Sequence, residues 1–256
     1  MASEAGAAVD PIAQFTLKPI VPIQIAGHDF SLTNASLYML VAVGLVCALM
    51  AAGSRGGPGV PGRLQALAEM AYEFVAGMVR SAAGEAAMRF FPLVFSIFMF
   101  VLLANLIGLI PFTFTVTAQI VVTAALALLV FFTVVIVGIV EHGWSFFKLF
   151  APSGVPIYIL PFVAAIEAIS FLTRPLSHSV RLFANMLAGH VTLSVFGGFV
   201  VMLLGAGVAF KAFAVLPFAM TVAIYALELL VACLQAYVFA MLACMYLSDA
   251  LDPGGH

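Results

Sequence analysis

Residues 157–204 read IYILPFVAAIEAISFLTRPLSHSVRLFANMLAGHVTLSVFGGFVVMLL. The run is far longer than the roughly 20 residues that cross a bilayer as a helix. No polar break divides it into two ordinary crossings. It reads as one long helix, tilted or kinked through a membrane, with Pro161 and Pro175 as possible bends. Near its middle stands Arg181. Translocon scales put the cost of a central arginine at about 2.5–3.5 kcal/mol. Intramembrane charges almost always face a bundle interior or a water-filled cavity, and they mark ion pathways. Glu167, Arg174, His178 and His190 share the segment, and Glu228 and Gln235 lie in the next apolar run, residues 208–248. Elsewhere the apolar spans carry almost no charge.

Composition agrees with a membrane solvent. Of 256 residues, 65% are hydrophobic and 8% charged, and the mean hydropathy is +1.23. A soluble domain carries about 25% charged residues, so this chain lacks the surface of one. The expected fold is all-α: a polytopic membrane protein with about five transmembrane helices and one amphipathic interfacial helix. Formal net charge is −2, with no cluster of Lys and Arg. Nucleic acid is therefore not an expected partner. Cys47, Cys233 and Cys244 sit in apolar runs without a CxxC pair, and read as buried free thiols. No metal site and no cofactor site is indicated. The N-terminus, MASEAGAAVDPIAQF, has acidic residues in place of a basic n-region, so it is not read as a signal peptide. The first apolar span serves as the insertion signal.

Outward from the long segment, residues 1–34 read as an exposed, extended N-terminal segment. Residues 35–256 form a single helical membrane domain, with spans at about 35–53, 90–111, 119–140, 157–204 and 208–248. Residues 63–85 differ from the spans. Leu64, Leu67, Ala71, Phe74, Val75 and Met78 recur at helical spacing, with Gln65, Glu69, Tyr72 and Arg80 between them. That pattern is an amphipathic helix, on the membrane surface or packed against the bundle. Residues 112–117 read as a short uncharged loop. The last two spans, joined at Gly205-Ala206-Gly207, form a long tilted hairpin. Arg55, Arg63, Arg80 and Arg89 lie between spans one and two, and Lys148 follows span three. The positive-inside rule puts these loops in the cytoplasm, the N-terminus outside and the C-terminus in the cytoplasm. Lys211 is the one discordant basic residue.

Spacing organises the polar groups. Glu167, Arg174 and Arg181 are seven apart and share a helix face, about 10.5 Å between neighbours. Ser177 and Asn185 lie one turn either side of Arg181, and His190 falls on about the opposite side. In an antiparallel hairpin, facing residues are equally far from the turn. Arg181 and Gln235 are equally far from position 208, and so are Glu167 and Asp249. His190 and Glu228 are equally far from position 209. Three polar levels follow, with His190/Glu228 outermost, Arg181/Gln235 in the middle and Glu167/Asp249 towards the cytoplasm. Histidine titrates near physiological pH, and an intramembrane carboxylate offers a second proton stop. Arginine stays protonated, so Arg181 suits holding or discharging a mobile carboxylate supplied by a partner. A purely structural pair of Arg181 with Glu228 or Glu167 is the plainer alternative. So is mutual neutralisation of Glu167 and Arg174. His178 and Asn105 read as helix–helix hydrogen-bonding groups.

The stretch VRLFANMLAGH, residues 180–190, resembles the a subunit of F-type ATP synthases, the membrane stator beside the rotating ring of c subunits. ALAEMAYEFVAGM, FFPLVFSIFMFVLLANLIGLIP and LQAYVFAMLACMYLSDA occur in the order that family has. The resemblance implies that Arg181 faces the ring carboxylate, with Asn185 one turn beyond it and Gln235 opposite. It implies that His190 and Glu228 belong to the outer half-channel, and Glu167 and Ser177 to the cytoplasmic one. His178 replaces an apolar residue common in the family, and Gln119 stands where many members have histidine. Two offset half-channels coupling proton flow to rotation are implied. So are a c-subunit ring, b-type peripheral stalk subunits, the remaining ATP synthase subunits and membrane lipid as partners, and a bacterial inner membrane as location. The ATP chemistry belongs to other subunits, since no GxxxxGK[ST] motif appears here. A stand-alone proton-coupled transporter or channel is the alternative. An acid–base intramembrane enzyme built on His190 and Glu228 lacks a nucleophile or metal cluster.

Overall fold

The computed structural model describes residues 15–22, 24–25, 28–29, 31–55, 62–111, 113–143 and 158–251. Lys148, used above for sidedness, lies outside them. Seven α-helices are described: α1 Asn34–Ser54, α2 Arg63–Ala83, α3 Phe91–Gly108, α4 Ile120–His142, α5 Leu160–Gly205, α6 Val208–Lys211 and α7 Val215–Leu251. Five helical segments, built on α1, α3, α4, α5 and α7, are long and apolar enough to cross a membrane. The architecture is the all-α polytopic one.

Local chemistry sets the ends. Thr33 caps α1 by accepting from the Ser36 amide. Proline stands in the first turn of α3 and of α5, where its missing N–H costs nothing. The sharp reversal after α5 needs Gly207, whose φ of 111° is closed to residues with a Cβ. At 46 residues, α5 is about 69 Å long. That is more than twice the roughly 30 Å hydrocarbon layer, so it must lie steeply tilted. Pro175 inside α5 removes one helical hydrogen bond and gives a place to bend.

The core runs through the centre of the bundle. Val75 and Val79 of α2, Val94, Phe98 and Val101 of α3, and Val130 and Val134 of α4 converge on α7. There Ala232, Ala236, Ala240 and Ala243 are fully buried. These small side chains let helix backbones approach, which is how helices pack in lipid. The outer surface carries Leu40, Phe132, Ile136, Leu172, Leu176, Leu227 and Leu230, all exposed, as lipid contact allows.

Four expectations change. The described part of the N-terminal segment is more than extended chain: β1 Pro19–Val21 pairs with β4 Leu32–Thr33, and β2 Gln24–Ile25 with β3 His28–Asp29. In α2 the buried stripe is Ala68, Val75, Ala76, Met78 and Val79, while Leu64, Leu67 and Phe74 face outward. Residues 114–118 are buried and form a 3-10 turn at Val116–Ala118, so this stretch is a plug and not a peripheral loop. Cys47 and Cys233 are exposed and only Cys244 is buried. A lipid solvent removes the pressure to hide small hydrophobes inside the protein.

Sidedness within the fold is fixed by an ion pair. Arg89, just before α3, meets Glu141 at the end of α4 at 2.7 Å. The start of α3 and the end of α4 therefore share one side of the bundle.

Candidate functional site

The long helix α5 sorts its polar groups onto two surfaces. Ser177, Arg181 and Asn185 are four residues apart and all exposed, beside the exposed Leu176 and Val180. Among the described residues, no carboxylate lies within ion-pairing reach of Arg181. The structural pair with Glu228 or Glu167 is therefore not formed. On the opposite surface His178, Leu182, Met186 and His190 are buried against the bundle. The half-turn rotation between Arg181 and His190 follows from their nine-residue separation.

His190 and Glu228 come together near the turn between α5 and α7. Nε2 of His190 is 3.7 Å from Oε1 of Glu228, with the carboxylate 4% exposed. Thr115, just before the buried 3-10 turn, places its hydroxyl 3.0 Å from the same Nε2. Neither Glu228 oxygen has a hydrogen-bond partner among the described residues. Gly189 makes the approach possible. A Cβ there would sit 2.8 Å from the Glu228 carboxyl carbon, inside van der Waals contact. At this distance the imidazole and the carboxyl group are neighbours without a direct hydrogen bond, and a proton passes between them only through a closer approach or one bridging water.

Below this pair, hydroxyl and amide groups bind the helices together. Asn105 of α3 donates to the Ala232 carbonyl of α7 at 3.1 Å and accepts from Thr117 at 2.7 Å. Thr123 of α4 and Ser179 of α5 share a 3.1 Å bond. The reading of Asn105 as a helix–helix linker matches this geometry. Gln235, seven residues beyond Glu228, is buried, whereas Arg181 is exposed.

At the inner end the equal-distance register gives way. Asp249 pairs with Arg174 at 2.8 Å, not with the level of Glu167. Asp249 lies two helical turns farther from position 208 than Arg174 does. That excess is about 10 Å of helix axis. A long arginine side chain and the tilt of α5 across α7 absorb it. The pair also stands in place of the alternative neutralisation of Arg174 by Glu167, which stays half-buried. Arg174 lies over the rings of Phe171 and Tyr246, at 5.5 Å and 4.9 Å, which fixes its reach. His178 is buried with its ring edge-on to Phe239 at 3.8 Å. Its Nε2 has no hydrogen-bond partner among the described residues, but the ring hydrogen-bonds the Phe239 backbone of α7, as the helix–helix reading expects.

Thr115 and Gly189 are the residues that sequence reasoning missed. A signal for the first was present. Thr113, Thr115 and Thr117 alternate in TFTVT, and alternation puts hydroxyls on one side of an extended strand. Gly189 had no signal beyond its place beside His190.

Comparison with known proteins gives concordant results. Residues 36–248 match the family model described as ATP synthase A chain. A protein of Afipia carboxidovorans called ATP synthase subunit a is 61% identical over 246 residues, covering 96% of this chain and 99% of the relative. Proteins of the same description from a Chelativorans species and Rhodopseudomonas palustris are 61% and 58% identical, each over 247 residues, with the same coverage.

Proposed function

This chain belongs to the ATP synthase A chain family, the proton-translocating stator subunits of F-type ATP synthases, and from that premise we propose that its two polar surfaces are two half-channels meeting a rotating ring of c subunits. The carrying observation is Arg181: a permanent cation, exposed and unpaired among the described residues, in mid-helix on a segment too apolar to face water. A charge so placed needs a partner from outside the chain. A ring carboxylate supplies the opposite charge.

Protons enter from the outer side at Glu228 and His190 and neutralise a ring carboxylate. The neutral site then moves into lipid as the ring turns. On return it meets Arg181, which favours the ionised carboxylate and stops protons passing straight between the two routes. Asn185 and Ser177 share the exposed face of Arg181 and border the ring path. Gln235 sits behind it on α7 and completes the seam. Release runs towards Glu167 and the Arg174–Asp249 pair at the cytoplasmic end. Each elementary charge crossing is worth about 2.3 kcal/mol per 100 mV, and the ring's rotation carries that energy to the catalytic head. The chain sits in the bacterial inner membrane with its N-terminus outside and its C-terminus in the cytoplasm. Beyond the ring, b-type stalk subunits hold it against rotation.

Acidification of vesicles by the purified complex tests the reading. Arg181→Ala is expected to abolish ATP-driven pumping in a complex that still assembles. Near-normal pumping by that variant would remove Arg181 from the mechanism.

A further inference from the structure

Residues 15–18 lie where Phe15 meets His190, and the starts of two helices hold them there. Gln119, at the start of α4, donates its side-chain N–H to the Phe15 carbonyl at 2.9 Å. Asn34, at the start of α1, donates to the Thr16 carbonyl at 3.1 Å and accepts from the Lys18 amide at 3.2 Å. The Asn34 amide donates to the Lys18 carbonyl at 3.1 Å. Beyond this, β1 continues the strap into its pairing with β4. So tethered, the half-buried Phe15 stands edge-on to the His190 imidazole, ring centres 6.2 Å apart and planes at 77°. Edge-to-face contact at this distance is a favoured aromatic geometry. The imidazole is therefore gripped from two directions, by Phe15 on its ring and by Thr115 on Nε2.

An imidazole can pass a proton to Glu228 only while Nε2 points at the carboxyl group. Rotation of the ring about its side-chain bonds would swing Nε2 away. We propose that Phe15, held by Gln119 and Asn34, is a positioning residue for proton entry: it keeps the His190 ring turned so that Nε2 lies between Thr115 and Glu228. This rests on the reading of that pair as the outer entry point. Glu228 is the carboxylate that faces the imidazole from α7, Tyr225 of that helix being turned to the Leu109 carbonyl. Thr115 faces it from the segment between α3 and α4. The glutamine at position 119 thus has a structural task in this chain: it anchors the strap and relays no proton.

The test is ATP synthesis by the intact complex in proteoliposomes, at varied proton concentration on the uptake side. Phe15→Ala is expected to change the half-saturating proton concentration about threefold, with the maximal rate kept within about twofold. Phe15→Tyr keeps the ring and restores the wild-type value. Gln119→Leu releases the same strap from another element and gives the same change. The double variant Phe15→Ala with Gln119→Leu adds nothing to the larger single effect, because both act through one contact. If both single variants keep the wild-type half-saturation, or if Phe15→Tyr is displaced as far as Phe15→Ala, the positioning role is overturned. Should Phe15→Ala fail to assemble, Gln119→Leu decides by the same split. Glu228→Gln separates the two levels of the argument. If it leaves uptake intact, the entry-point reading itself falls. If it stops uptake while the strap variants do nothing, only the role of Phe15 falls.

Discussion

Near the turn between α5 and α7, Gly189 stands against the Glu228 carboxyl group, which faces His190. Gly189→Ala puts a methyl group against the Glu228 carboxyl group. Overpacking of this kind costs about 1–3 kcal/mol, and the carboxylate must move off His190. Proton flux through the assembled complex should fall by about tenfold or more. An unimpaired rate would mean that the close approach of the two side chains is not used. The pair itself can be exchanged. His190→Glu with Glu228→His keeps one acid and one imidazole at one depth, so it should recover more flux than either single exchange. A double-mutant cycle measures this, and an additive result would separate the two residues. Arg181 is expected to tolerate no such exchange. Arg181→Lys should lose most pumping, because a compact ammonium cannot reproduce the planar, five-donor guanidinium.

At the scale of elements, α3, α7 and the buried 3-10 turn are tied by Asn105. Asn105→Leu leaves the Thr117 hydroxyl and the Ala232 carbonyl without that partner. Interhelical hydrogen bonds in membranes contribute about 0.6–2 kcal/mol each. Thermal unfolding in detergent should show a loss of about that size per bond. Wild-type stability would show that the two helices hold without the amide. The inner ends of α5 and α7 are joined by Arg174 and Asp249, whose side chains are about one quarter exposed. Removing Asp249 should loosen this end more than it affects the outer pair, because the two lie at opposite ends of a very long hairpin.

The whole molecule has a direction. Arg55, Arg63, Arg80 and Arg89 cluster between the first span and the second, and the Arg89–Glu141 contact brings the end of α4 to that side. Short basic loops stay in the cytoplasm. With the native cysteines replaced, Ser3→Cys in oriented vesicles should label from the outer side and Gly255→Cys from the cytoplasmic side. Outer labelling of position 255 would invert the hairpin and exchange the two half-channels.

The sequence by itself determined the solvent, the helices and the polar inventory. A run as apolar as residues 157–204 can satisfy its backbone in lipid only as a helix, so α5 was legible without any contact being known. The level of His190 with Glu228 was legible too, since both lie near a tight turn where an antiparallel register has little length over which to drift. Farther from the turn the same arithmetic failed, and Asp249 met Arg174 because tilt accumulates along the 46 residues of α5. What only the tertiary structure decided is which surface each group faces and what stands beside it. Thr115 against His190, Gly189 under Glu228 and Phe15 over the imidazole join segments far apart in the chain. Helical periodicity relates neighbours a few turns apart. Contacts between distant segments depend on how helices cross, and that is fixed by the packing of the bundle as a whole.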